Sequence, residues 1–212
     1  MIRKASMSFV ALAAALLFSA PLALAAPTTW AIDPNHSSVE FSIRHLFSKV
    51  PGKFTTFSGL IVYDPANVAA SSVKTAIAAS TISTANEKRD GHLKSEDFFD
   101  VAKYPTIIFE STKVEAAGEN KLKVDGNLNM HGITKPVTLD VTFLGSGPGP
   151  GDRQVSGFEA VAKVNRKDFN IIWNRNLDQG GTLLGDEVEI HLNIEAGTPP
   201  PVEKKAEAGA AK

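Results

Sequence analysis

The chain has 212 residues, 43% of them hydrophobic, with 22 basic and 23 acidic side chains and no cysteine. A formal charge of −1 without a clustered basic stripe argues against a nucleic-acid binder, and no nucleic-acid partner is expected. The lack of cysteine excludes a disulfide-stapled scaffold and any thiol nucleophile, so the fold must be held by an apolar core.

Arg3 and Lys4 precede an uncharged run from Met7 to Leu24, and Ala23-Leu24-Ala25 offers the small residues a signal peptidase requires. Residues 1–25 are therefore expected to be a cleavable signal peptide. Residues 26–196 follow as one domain, and the chain beyond residue 25 keeps 20 basic and 23 acidic side chains. Export without cysteine fits a bacterial periplasm.

Within that domain the apolar residues recur every second position, the period of a strand with one dry face. Val39, Phe41 and Ile43 alternate with Glu40, Ser42 and Arg44, and His45 continues the inward parity. Phe57, Gly59, Ile61 and Tyr63 form a second set, and Asp64-Pro65-Ala66-Asn67 then reads as a turn. The segment "PANVAASSVKTAIAA" suggests a helical turn leading into a strand. Residues 86–98 suggest a short helix, with Thr84 or Asn86 as its cap and Glu87 at capping-box spacing from Thr84. Two adjacent phenylalanines, Phe98 and Phe99, stand at its exit.

Alternation resumes in Ile107, Phe109 and Ser111, then in Leu122, Val124, Gly126, Leu128 and Met130, with His131-Gly132 as a turn. Val137, Leu139, Val141 and Phe143 lead to "GSGPGPGD" from Gly145 to Asp152, read as a loop. Phe158, Ala160, Ala162 and Val164 form one more strand, and Val188, Ile190, Leu192 and Ile194 the last. From Gly197 the sequence "GTPPPVEKKAEAGAAK" lacks large apolar residues, so 197–212 is expected to be a disordered tail.

About eight strands joined by hairpin-length links, each with one apolar face, must form a two-sheet sandwich or a closed barrel. Glycines inside the strands favour the curved alternative. The expected fold class is all-β, an antiparallel barrel with one or two short helices. An eight-stranded barrel is either filled by its own side chains or wide enough for one small ligand. The small inward residues Gly59, Ser111, Gly126, Ala160 and Ala162 are expected to leave room inside.

Catalytic and metal constellations are weak. No histidine pair has ligand spacing, no serine stands in a G-x-S-x-G elbow, and the prolines in "GSGPGPG" remove amide donors a phosphate loop would use. His92 has Arg89, Asp90 and Asp97 as neighbours. For Arg89 and Asp90 a structural latch is the favoured reading, whereas His45, a polar ring facing a dry interior, is the better candidate for a ligand's head group.

The stretches "WAIDPNHSSVEFSIRHL" (30–46), "RDGHLKSEDFFDVAKYPTIIFES" (89–111), "GNLNMHGITKPVTL" (126–139) and "FEAVAKVNRKDFNI" (158–171) together resemble the YceI-like family. The resemblance implies an extended lipocalin-like barrel in the periplasm whose tunnel holds a polyisoprenoid, of prenyl quinone or polyprenyl phosphate type, or another long-chain amphiphile such as a fatty amide or acid. It implies a carrier linked to respiration or envelope stress, with no enzymatic activity, no metal and no cofactor beyond the bound lipid, in transient contact with a membrane surface. A homodimer stays open, as does a filled-core exported interaction protein. Residues expected against the chain are Phe41, Ile43, His45, Phe57, Ile61, His92, Phe98, Phe99, Ile107, Phe109, Leu128, Met130, Phe158, Phe169 and Trp173. Ligand is expected to pass at a rim where the helix and the 145–151 loop part.

Overall fold

The computed structural model describes residues 27–178 and 180–199. The expected leader (1–25) and the expected tail beyond residue 199 lie outside the described residues. Eleven strands occur in it: β1 (Thr28–Ile32), β2 (Ser38–His45), β3 (Ser48–Phe54), β4 (Phe57–Tyr63), β5 (Ser72–Ala78), β6 (Ile82–Ser83), β7 (Thr106–Gly118), β8 (Lys121–Met130), β9 (Ile133–Pro148), β10 (Gln154–Asn165) and β11 (Leu184–Gly197). One α-helix, α1 (Glu87–Lys94), and three short 3-10 turns complete the described elements.

The ladder pairings reduce these eleven strands to eight staves. β11 pairs with β2 and, further along, with β1, so β1 and β2 are one stave broken at residues 33–37. β3 pairs with β2 while β4 pairs with β1, making a second stave with a break at 55–56. β5 and β6 lie along β4 and β3 as the third. β7 to β11 are the other five, every neighbouring pair is antiparallel, and β11 against β1 and β2 closes the ring. Closure pairs the long strands on both sides and leaves, among the described strands, only the two-residue β6 paired on one side alone, which limits the usual difficulty of an all-β chain.

Up-and-down order puts alternate connections at opposite rims. One rim, called upper here, carries the 46–47 turn, the long 84–105 connection with α1, the 131–132 turn and the 166–183 connection. The lower rim carries the connections at 64–71, 119–120 and 149–153. The sequence-based loop at Gly145–Asp152 is corrected by this arrangement. β9 runs on to Pro148, and Ser156, Val155 and Gln154 of β10 pair with Ser146, Gly147 and Pro148, so only a tight turn remains. That turn is also at the rim opposite α1, separated from Ile133 by roughly 50 Å of strand. The two segments cannot part to form one opening.

Helix α1 is shorter than its expected span. Asn86 caps it, its side chain accepting from the Arg89 amide, while Thr84 has a different role described below. After Lys94 the Ser95 amide bonds the His92 carbonyl, and successive turns through Tyr104 replace the helix over 95–98. Three prolonged strands and the two broken staves apart, the period-two expectations fall on strands. At the other end, Gly197 belongs to β11, where it faces Val155 and Ala31.

Candidate functional site

Inward side chains of all eight staves enclose a cavity of about 460 Å³ that extends from Leu183, His45 and Trp173 beside the upper rim to Tyr63 and Ser71 beside the lower. The volume lies within the range of small-molecule binding sites. Its wall is almost entirely apolar: Ile43, Phe57, Ile61, Ile107, Phe109, Leu128, Met130 and Phe158 line it, as do Val188, Ile190, Leu192 and Ile194 of β11. The β11 residues face inward yet are only half-buried, the signature of a wall bordering open space rather than packed core.

The bore is not created by the glycines. A side chain at Gly126 would collide with the Phe109 ring, and one at Gly52 with the Phe41 ring. In both places the missing Cβ is the seat of an aromatic ring from the neighbouring stave. That corrects the expectation that Gly126 leaves space for a ligand. Ala160, which faces the bore from β10, does keep it open.

Fourteen of the fifteen residues expected against a ligand border the cavity: Phe41, Ile43, His45, Phe57, Ile61, His92, Phe98, Phe99, Ile107, Phe109, Leu128, Met130, Phe158 and Trp173. Phe169 does not. It lies in the 3-10 turn Arg166–Phe169 at 1% exposure, and its carbonyl meets the His131 Nδ1 at 3.0 Å. The strand ends at Asn165, so inward parity no longer applies four residues on.

The upper rim is closed by aromatic packing. His92 stands edge-on to both Phe98 and Trp173 at 5.0 Å, Phe98 and Trp173 are 5.3 Å apart, and Phe99 meets Phe54 edge-on at 5.8 Å. Phe98 is 6% exposed despite lying in a connection. His92 Nε2 is 2.7 Å from Asp97 Oδ2, which fixes the ring's outer edge while its face stays in the cluster.

Arg89 and Asp90 converge on one residue. Arg89 Nε donates to Thr84 Oγ1 at 2.7 Å and Nη2 to the Thr84 carbonyl at 2.8 Å; the Thr84 amide and hydroxyl donate to Asp90 Oδ1. Burial acts to raise the Asp90 pKa, but the Thr84 hydrogen bonds and the Arg89 and Lys94 charges outweigh it and hold the carboxyl below its ordinary value. This group ties α1 to the end of β6.

A second fastening was not visible in the sequence. Arg166 is 3% exposed; its Nε donates to the Gly185 carbonyl at 2.9 Å, and Nη1 to those of Ile171 and Trp173 at 2.7 and 2.8 Å. Nη2 reaches Asp186 Oδ1 at 3.2 Å. Burial lowers its pKa, opposed by Asp186. One guanidinium thus positions Trp173 by holding both ends of its segment. Only an arginine offers enough divergent donors for this, but an arginine after a strand gives no sign of burial.

Other bore-lining side chains have polar atoms without a hydrogen bond among the described residues, among them the His45 ring beside the upper turn and the Tyr63 hydroxyl beside the lower rim. Trp30 Nε1 is also buried without a partner among the described residues, but Trp30 does not line the bore. On the outside, Asp33, His36 and Glu195 bring ligand atoms within 4.8 Å of one another, a grouping no local spacing reveals. His36 Nδ1 pairs with Asp33 Oδ2 at 3.1 Å, which lowers the Asp33 pKa and raises that of His36.

The sequence profile of the YceI-like domain matches residues 30–196. Protein YceI of Escherichia coli is 41% identical over 183 residues, covering 86% of this chain and 92% of its own length. Among solved structures, Burkholderia cenocepacia BcnA superposes with a TM-score of 0.65 at 26% identity, covering 77% of this chain and 98% of its own. A structure described as a polyisoprenoid binding domain from Saccharophagus degradans gives 0.57 at 17% identity, covering 80% and 98%, a likeness of fold.

Proposed function

Since this chain belongs to the YceI-like family, we propose that it is an exported carrier that holds a polyisoprenoid lipid in the barrel bore. The carrying observation is the cavity itself: about 460 Å³, lined by apolar side chains of every stave and closed at one rim by side chains rather than by strand ladder. A solid centre would have favoured the filled-core alternative. The charged run of Arg3 and Lys4 before an apolar stretch supports export, with the periplasm as its compartment. The histidine–carboxylate pair at the bore, His92 with Asp97, is packed against Phe98 and Trp173 in the rim cluster, which supports a structural rather than a catalytic role for it.

The energetics favour exchange with a membrane. Each buried CH2 gains about 0.8 kcal/mol relative to water, so a long prenyl tail taken from water would exceed the affinity ceiling near −18 to −21 kcal/mol. Relative to acyl chains the bore offers only differences in packing and head-group contacts. A modest net affinity follows, suited to pick-up and release. Phe47 and Ile172, both strongly exposed, stand on upper-rim connections beside the aromatic cluster. Their placement supports a membrane-facing role for that rim. His45 and His92 are polar contacts available there.

The ligand class is tested by extracting protein purified from its native compartment with organic solvent and measuring the released mass. A prenyl quinone or polyprenyl phosphate is expected. A fatty amide or acid would move the assignment to that class, and the absence of any long-chain species would contradict the carrier reading.

A further inference from the structure

The lower end of the bore carries a feature that chain burial alone does not explain. Tyr63 closes β4 and lines the cavity, its ring 4.8 Å from Phe143 and 5.8 Å, edge-on, from Phe158. Phe143 and Phe158 are themselves 5.4 Å apart. A phenylalanine would complete this aromatic cluster equally well. The hydroxyl has no hydrogen-bond partner among the described residues, and burial alone raises its pKa. A hydroxyl that borders an apolar cavity without a partner in the protein is positioned to bond a polar group of a ligand.

The surroundings restrict what that ligand group is. Arg89, Arg166, His45 and His92, the bore's cationic or titratable basic side chains, all belong to the upper-rim end. Arg89 and Arg166 are bonded to Thr84 and to backbone carbonyls there. A phosphate or carboxylate beside Tyr63 would be a buried charge without a counter-ion, whereas a neutral oxygen needs only one donor.

We propose that the Tyr63 hydroxyl donates a hydrogen bond to an uncharged oxygen, such as a quinone carbonyl, at the leading end of a bound isoprenoid. This rests on the carrier reading above and narrows it to a neutral head held in the bore against the Tyr63 hydroxyl, with the tail running toward α1. An oxygen-bearing ring enters first, and the aromatic cluster of the upper rim closes over hydrocarbon.

The test compares wild type with Tyr63→Phe, which keeps the ring and the packing, against three probes: a benzoquinone with a four-isoprene tail, squalene, and geranylgeranyl phosphate. Tyr63→Phe is expected to weaken quinone binding roughly three- to tenfold, the effect of one hydrogen bond, with squalene binding unchanged. Wild type is expected to prefer the quinone over the phosphate. Equal quinone affinities in the two proteins, or a preference for the phosphate, would overturn the assignment while leaving the carrier reading intact. Failure of wild type to bind any probe would overturn both.

Discussion

At the upper rim the chain devotes residues 84–105 and 166–183 to connections without ladder pairing to the wall among the described residues, whereas the longest lower connection covers only 64–71. The polar groups differ in the same sense. Above, Thr84, Arg89, Asp90 and Arg166 are engaged with one another or with backbone carbonyls. Below, short turns close the wall and the Tyr63 hydroxyl borders the bore without a partner among the described residues. Segments held by a few side chains open at lower free energy than strands in a continuous ladder. The contrast therefore assigns movement to the upper rim and fixed recognition to the lower.

The strongest way to break that contrast is to remove the upper aromatic cover. Phe98→Ala with Phe99→Ala is expected to cost about 3–5 kcal/mol of stability, as for buried phenylalanines in general, and to accelerate release of a bound prenyl lipid on the order of tenfold or more. Unchanged release in a stopped-flow dilution assay would place the gate elsewhere.

Arg166→Ala comes next. Three carbonyls lose a charged donor, so a loss of about 3 kcal/mol is expected, read as a fall of roughly 6–12 °C in Tm. Hydrogen exchange should increase over 166–186 and not at the lower turns. Uniformly faster exchange would deny that Arg166 acts on the upper rim in particular.

Phe47→Asp is the mildest. At an exposed turn the stability change should stay within about 0.5 kcal/mol, while pick-up of a fluorescent prenyl lipid from vesicles slows by roughly fivefold, corresponding to about 1 kcal/mol of interfacial burial. Equal pick-up rates would remove Phe47 from the membrane-facing surface.

The wall of the barrel was legible where one residue's side-chain direction follows from its neighbour's. β8, β10 and β11 carry the inward sets that their alternation implies. Legibility fails where the backbone leaves that rule. β3 contains Pro51-Gly52, a turn-like pair, yet it is a strand whose glycine seats the Phe41 ring. Thr112 is an extra residue in β7, between Ser111 and Lys113, whose partners Gly126 and Asp125 are consecutive; the bulge transfers inward parity to Val114, which is buried. The Gly/Pro run after Leu144 reads as loop because its composition is poor in strand formers, although pairing with β10 overrides that preference.

The candidate site follows the same division. Apolar lining residues could be named from parity, and the Phe98-Phe99 pair from its position after a helix. Phe169 was misplaced because the strand ends before it. Arg166 and Tyr63 went unnoticed as functional residues because their roles depend on partners distant in sequence, or on the absence of one.

The central claim is that a chain occupies the bore, and native mass spectrometry of the wild type beside Ala160→Trp tests it most directly. Ala160 faces the cavity from β10, so an indole there would obstruct it. Wild type isolated from its own cells should carry one long-chain lipid per barrel, and a folded Ala160→Trp protein should carry none. Equal lipid occupancy in both proteins would contradict the account.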